Sequence, residues 1–141
     1  MENTNEKRLY QVAEIQLTYK SDVKPSLRPK INGSRDAFNI LKESWDESKI
    51  EFIEQFKAMF MNRANKVLGI LEVSTGGVSG TVADPKVIFA AALKAGASGF
   101  IVAHNHPSGN LTASQSDIDL TKKLKEAGKF LEMPLIEFRF F

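Results

Sequence analysis

The chain has 141 residues, a length typical of one domain with one hydrophobic core. Hydrophobic residues make up 43% and charged residues 26%, the balance of a soluble globular protein, and the net charge of +2 is too small to require a nucleic-acid or membrane partner. There is no cysteine, which excludes disulfides, thiolate zinc sites and cysteine nucleophiles and suits a reducing compartment.

The N-terminus has no feature of a secreted protein. Residues 1–9 are polar and predict an unstructured tail, so we expect a single domain over residues 10–141. No window of the sequence approaches the run of about 18 apolar residues that crosses a bilayer. The simplest interpretation is a cytoplasmic protein without a membrane partner.

The N-terminal segments show a strand pattern followed by a helix pattern. Apolar and polar residues alternate from Ala13 to Tyr19, which predicts a half-buried strand. Residues 21–32 contain two prolines and three basic residues and predict a connecting loop. Ser34 is then expected to cap a short helix whose apolar positions are Ala37, Ile40 and Leu41.

A hairpin is predicted between Glu51 and Val73. Its first strand carries Phe56, Ala58 and Phe60 on one face, residues 62–66 form a polar turn, and an apolar strand returns. The glycines that follow predict an irregular turn; they are Gly76, Gly77 and Gly80.

Helices and strands alternate in the C-terminal part of the chain. Asp84 followed by Pro85 predicts the start of a helix that ends at Gly96, with a buried stripe of Val87, Ile88, Ala91, Ala92 and Ala95. Residues 99–103 are an uninterrupted apolar run, typical of a central strand. Ser114 opens a last helix, whose apolar positions are Ile118, Leu124, Ala127 and Leu131, and residues 133–141 are strand-like. The alternation predicts the α/β class, with a mixed sheet flanked by helices.

Residues 104–109 read His-Asn-His-Pro-Ser-Gly and hold both histidines of the chain. Side chains two apart on a strand point the same way, so His104 and His106 are expected to project together from the carboxyl edge of the sheet, where α/β sheets bind ligands. Asp117, in the first turn of the last helix, would complete a set of two nitrogens and one oxygen. That set leaves one tetrahedral position for water, the coordination of a catalytic zinc ion.

Each of these residues also has a plainer interpretation. For His104 and His106 it is a pair of hydrogen-bonded core or loop histidines. Ser114-x-x-Asp117 is the pattern of a capping box, which is compatible with metal binding because capping fixes the helix that presents Asp117. As an N-cap, Ser114 needs no catalytic role.

Hydrolysis at such a zinc site requires a base, and a carboxylate outside the ligand set is the usual one. The candidates on the predicted hairpin are Glu51, Glu54 and Glu72. Glu54 directly precedes the strand that carries Phe56, so its backbone would be held rigidly. The sequence pattern alone does not choose among the three glutamates.

With these residues assembled, the sequence resembles the RadC family, a bacterial branch of the JAMM (JAB or MPN) metallohydrolases. The family pattern is an upstream glutamate, then His-x-His-Pro, six residues, Ser, two residues and Asp. This chain matches every spacing with His104, His106, Pro107, Ser114 and Asp117. The resemblance extends from about residue 51 to about residue 131. It departs from the family at Pro85-Lys86-Val87, where members have Pro-Arg-Glu.

The resemblance implies a JAB/MPN (cytidine-deaminase-like) three-layer architecture. It implies that zinc (Zn²⁺) is bound by His104, His106 and Asp117. Glu54, two residues before a phenylalanine, would be the base, and Ser114 would help to stabilise the oxyanion. The implied activity is zinc-dependent hydrolysis of a peptide or isopeptide bond in a protein or peptide substrate that the sequence does not identify.

A second interpretation is a non-catalytic DNA-repair or mobile-element accessory protein that uses the JAB fold for binding. The family's association with DNA repair favours it. Family members continue from a Leu-Asp-His segment into another strand, whereas residues 135–141 read Leu-Ile-Glu-Phe-Arg-Phe-Phe; a truncated or altered C-terminus of this kind would leave the sheet short of a strand. The low net charge argues against strong DNA binding, and the lysines of the last helix are typical of a solvated face; they are Lys122, Lys123, Lys125 and Lys129.

Overall fold

In the computed structural model, which describes residues 11–76 and 83–141, the centre of the molecule is a mixed four-stranded sheet. Its strands are β1 (Gln55–Met61), β2 (Val67–Thr75), β3 (Gly99–His104) and β4 (Leu135–Phe140), in the order β2-β1-β3-β4. The β1 strand pairs antiparallel with both β2 and β3, and β3 pairs parallel with β4. The predicted hairpin, central strand and final strand are confirmed.

Helices cover both faces of this sheet, which confirms the α/β class. They are α1 (Ser34–Ser44), the short α2 (Glu47–Ile50), α3 (Pro85–Ala95) and α4 (Gln115–Phe130). Within the described ranges, no helix combines the length and the apolar character needed to cross a lipid bilayer.

Two apolar clusters, one on each face, hold the three layers together. On one face Phe56, Ala58 and Phe60 of β1 pack with the buried side of α3 and α4, as the alternation along the strand predicts. On the other face Met59 and Met61 pack against α1. Because β1 and β3 are covered on both sides, every residue of both strands is buried.

Both helices α3 and α4 begin, and α3 ends, where the capping residues predict. Asp84 accepts a hydrogen bond from the Lys86 amide (2.9 Å), and α3 ends at Gly96, whose φ of 68° is the left-handed conformation that glycine tolerates. Ser114 caps α4 through a complete capping box with Asp117.

The predicted apolar stripes of these helices are partly wrong. Val87 is 43% and Ile118 41% exposed, whereas Phe89, which the prediction omitted, is buried. The face of α3 that meets the sheet carries Ile88, Phe89 and Ala92, so the helix is rotated from the predicted orientation.

Two predictions for the N-terminal segments are also wrong. Residues 13–19 form no strand, because within the described ranges no other strand pairs with them. Their side chains are exposed, and the hydrogen bond seen for them is the one that the Tyr19 hydroxyl donates to the Leu68 carbonyl. The N-cap of α1 is Gly33, and Ser34 is the first helical residue, whose hydroxyl donates to Glu137 (3.0 Å). The predicted glycine turn includes Gly77 and Gly80, which lie outside the described residues.

We predict that Gly128→Ala destabilises the domain. A Cβ atom at this position of α4 would lie 2.7 Å from the Met133 carbonyl oxygen, a backbone atom that cannot easily move away. Alanine is intrinsically favoured over glycine in a helix by about 1 kcal/mol, but overpacking of this kind costs about 1–3 kcal/mol. Urea unfolding should therefore show a lower free energy of unfolding for the variant.

Lys125→Ala, on the exposed side of the same helix, is the control and should change stability by less than about 0.5 kcal/mol. A Gly128→Ala protein as stable as the unmodified chain would show that α4 is not packed this closely.

Candidate metal centre

The predicted site residues come together at one end of the sheet. His104 is the last residue of β3, and His106 follows two residues later. Because β1 runs antiparallel to β3 and Phe56 is paired with His104, the residue that precedes β1, Glu54, lies beside the end of β3. Asp117, in the first turn of α4, approaches the same point from the next element of the chain.

Distances between ring nitrogens and carboxylate oxygens define the cluster. His104 Nε2 lies 3.2 Å from Glu54 Oε1, and His104 Nδ1 lies 3.2 Å from Asp117 Oδ1. His106 Nε2 lies 3.4 Å from Asp117 Oδ2. Glu54, His104 and His106 each offer one ligand atom within 4.8 Å of the others, a group able to hold a metal ion. The ring centroids of the two histidines are 4.8 Å apart, so they do project together.

The orientation of His106 is fixed by a neighbour that the sequence did not indicate. Its Nδ1 lies 2.5 Å from the Asn110 carbonyl oxygen. Because a carbonyl only accepts, Nδ1 is the donor in this contact, and Nε2 is the ring nitrogen that faces the cluster. This is the usual arrangement of a metal-binding histidine, whose outward N–H donates to a carbonyl or carboxylate. The Phe140 ring, 5.1 Å from the imidazole centroid, packs against the same side chain.

His104 lies in a more enclosed environment. The residue is 6% exposed, and its ring is placed between Glu54 and Asp117. Its Nε2 atom is buried and, although 3.2 Å from Glu54 Oε1, makes no hydrogen bond of acceptable geometry. Two carboxylates converge on these imidazoles, and carboxylate charges are costly in a buried site unless they are compensated. A divalent cation bound to these side chains would supply that compensation and a partner for Nε2. The donor set therefore fits a metal ion.

Asp117 is held in place by the N-terminus of α4. Its Oδ2 accepts from the Ser114 amide (2.9 Å), and the Ser114 hydroxyl oxygen accepts from the Asp117 amide (3.1 Å). Burial raises the pKa of the Asp117 carboxyl, but the hydrogen bonds with Ser114 and the nearby His104 outweigh burial, so the pKa lies below its ordinary value. The carboxylate is thus ionised at neutral pH, the form that binds metals.

Of the three candidate bases, Glu54 alone is placed by these contacts next to a histidine. Glu72 accepts a hydrogen bond from the Gln55 side chain (2.5 Å), and Glu51 is exposed beyond the end of α2. Glu54 contacts His104 only through Oε1, whereas Asp117 contacts both imidazoles.

A cleft of about 290 Å³ adjoins the cluster. His104 and Asp117 form one side, and the apolar side chains of Phe56 and Leu120 also line it. The remaining residues around it are Ala83, Pro85, Ser116, Asp119 and Lys123. The cleft gives a ligand access to the histidine and carboxylate side chains.

Comparison with known proteins identifies relatives of the whole site region. The family model described as RadC-like JAB domain matches residues 31–138. A UPF0758 protein of Flavobacterium johnsoniae is 41% identical over 108 residues, which cover 77% of this chain and 46% of that protein. A UPF0758 protein of Thermosynechococcus vestitus is 40% identical over 84 residues, which cover 60% of this chain and 34% of that protein. One of Gloeothece citriformis is 43% identical over 84 residues, which cover 60% of this chain and 35% of that protein. The chain spans less than half the length of these curated relatives.

We predict that Zn²⁺ stabilises the protein and that Asp117→Asn removes most of this effect. At about 100 times its Kd, a ligand bound only to the folded state raises the free energy of unfolding by about 2.7 kcal/mol. The amide of the variant is a poorer ligand than a carboxylate, so the variant should gain much less. Urea unfolding of metal-free protein, with and without Zn²⁺, measures the difference.

Asp119→Asn is the matched control, since Asp119 lies on the same helix and accepts a hydrogen bond from Gln115 (2.9 Å). It should keep the full Zn²⁺ stabilisation. Equal stabilisation of the Asp117→Asn protein would exclude Asp117 as a ligand.

Proposed function

Because this chain belongs to the RadC-like JAB-domain family, we propose that it is a zinc-dependent hydrolase of the JAMM type that cleaves an amide bond in a protein or peptide. The observation that supports the proposal most strongly is the convergence of two imidazoles and two carboxylates at the end of β3, with His104 Nε2 buried and without a hydrogen bond.

We assign His104, His106 and Asp117 as the metal ligands and leave Glu54 outside the ligand set. Asp117 lies 3.4 Å from the His106 nitrogen that faces the cluster and is fixed by the capping box, which supports its role as a preorganised ligand. Three protein ligands leave one position open to water and substrate, as catalytic zinc sites require. Zn²⁺ in that place would polarise the substrate carbonyl and lower the pKa of a water molecule toward about 7.

Glu54 acts as the carrier of the proton. Its Oε1 lies 3.2 Å from His104 Nε2, and the side chain remains 15% exposed to solvent. The carboxylate takes a proton from the attacking water as the new C–O bond forms. It then delivers that proton to the leaving nitrogen as the C–N bond breaks.

Ser114 is assigned to the oxyanion. Its hydroxyl oxygen accepts from the Asp117 amide in the capping box, and in the transition state its hydroxyl hydrogen would donate to the developing negative charge. One such donor is typically worth about 3 kcal/mol in the transition state. The apolar side chains of Phe56 and Leu120 in the adjoining cleft would exclude water around the substrate.

We expect the Glu54→Gln protein to lose hydrolysis even when it is saturated with Zn²⁺. The amide has almost the same shape as the carboxylate but cannot accept the proton, and loss of a general base costs a factor of about 10²–10⁴ in rate. The Zn²⁺-loaded protein is incubated with a library of proteome-derived peptides, and newly formed termini are identified by mass spectrometry. Glu51→Gln, an exposed glutamate of the same loop, is the control and should cleave like the unmodified chain.

Cleavage products that persist unchanged in the Glu54→Gln protein would contradict the assignment of the base. Zinc-loaded protein that cleaves no peptide would favour the non-catalytic accessory role in DNA repair instead.

A further inference from the structure

The residue between the two histidines, Asn105, is fully buried and makes three hydrogen bonds to one segment of backbone. Its side-chain amide donates to the carbonyls of Ile50 (2.7 Å) and Ile53 (2.8 Å). Its Oδ1 accepts from the Gln55 amide (2.6 Å). Both donor hydrogens and the acceptor oxygen are therefore used.

These partners surround Glu54 along the chain. Ile53 precedes it and Gln55 follows it, so the peptide groups on both sides of Glu54 are bound to Asn105. The Glu54 carbonyl itself accepts from the Gly76 amide (2.9 Å). The backbone that carries the Glu54 carboxylate is thus fixed relative to the strand end that carries His104 and His106.

We propose that Asn105 is a positioning residue, which sets the distance between the Glu54 carboxylate and the two histidines. Side chains on successive residues of an extended strand alternate in direction, so Asn105 points away from the cluster that His104 and His106 form and toward the 50–55 segment. The same short motif thus supplies the two histidines and, in Asn105, the side chain whose hydrogen bonds position Glu54. The role as base rests on the proposed function, whereas the placement of Glu54 stands on the contacts alone.

Only an asparagine-sized amide meets this set of partners. Two carbonyls require two donor hydrogens and one amide requires an acceptor, which together are the hydrogen-bonding groups of a single carboxamide. Aspartate keeps the shape but has no amide hydrogens for Ile50 and Ile53, and alanine removes all three bonds. Either change leaves buried backbone groups unpaired and frees the segment that carries Glu54.

A double-mutant cycle on zinc affinity tests the proposal. The chelator-competition Kd for Zn²⁺ is measured for the unmodified protein, Asn105→Ala, Glu54→Gln and the double variant. Loss of a group that supports metal ligands from outside typically weakens metal binding by about 10- to 100-fold. If Asn105 acts through Glu54, each single variant weakens binding about tenfold and the double variant is no weaker than either.

Asn62→Ala is the matched control. This asparagine also accepts backbone hydrogen bonds, from Ala64 and Lys66 (both 3.0 Å), but it lies in the turn at the other end of β1. It should leave the zinc Kd unchanged. An Asn105→Ala protein with unchanged Kd, or with the same loss of affinity in the Glu54→Gln background, would overturn the proposal. If Asn105→Ala does not fold, Asn105→Asp replaces it in the cycle.

Amide hydrogen exchange separates this inference from the proposed function. In the metal-free Asn105 variants, the amides of residues 50–55 should lose protection while those of α3 and α4 keep it. That result would support the positioning role of Asn105 even if the unmodified protein bound no zinc. In that case the proposed function would fail and the inference about Asn105 would stand. Unchanged protection of residues 50–55 would overturn the inference whatever the protein does with zinc.

Discussion

The antiparallel pairing of β1 with β3 is the interaction on which the site depends. It places the beginning of one strand beside the end of the other, and so brings Glu54 to His104 across 50 positions of the chain. Apolar clusters on both faces of the sheet hold these strands in register. A shift of the register by one residue would turn His104 to the other face and separate it from Asp117.

The cluster concentrates charge where the fold is otherwise apolar. Phe56 packs against His104, and Phe140 against His106, so the imidazoles have aromatic neighbours as well as carboxylates. Such surroundings strengthen electrostatic interactions and make uncompensated carboxylates costly. The geometry is therefore best explained as a cation-binding site. Without a cation, the carboxylates in this site lower the stability of the fold.

Local patterns predicted the elements that carry the site, because the relevant interactions lie close together in sequence. The capping box of Ser114 and Asp117 spans three residues, and the common direction of His104 and His106 follows from strand geometry. The choice of Glu54 over Glu51 and Glu72 could not be predicted from the pattern, since it depends on a long-range pairing; only the family resemblance indicated it. Asn105 binds backbone groups of residues 50–55, and Asn110 binds His106 through its own backbone carbonyl; no side-chain pattern in the sequence records such contacts. The strand predicted over residues 13–19 failed for the related reason that alternation indicates strand tendency but not a pairing partner.

In the proposed metal centre, two imidazoles and the Asp117 carboxylate hold the metal, and Glu54 lies outside the ligand set. A crystal structure of the zinc-loaded protein, with anomalous diffraction collected at the zinc edge, distinguishes this ligand set from the alternatives. The expected result is one zinc ion on His104, His106 and Asp117, with a water molecule as fourth ligand and Glu54 in hydrogen-bond reach of that water. Zinc held by Glu54, His104 and His106 with Asp117 unbound, or zinc located elsewhere on the protein, would contradict the claim.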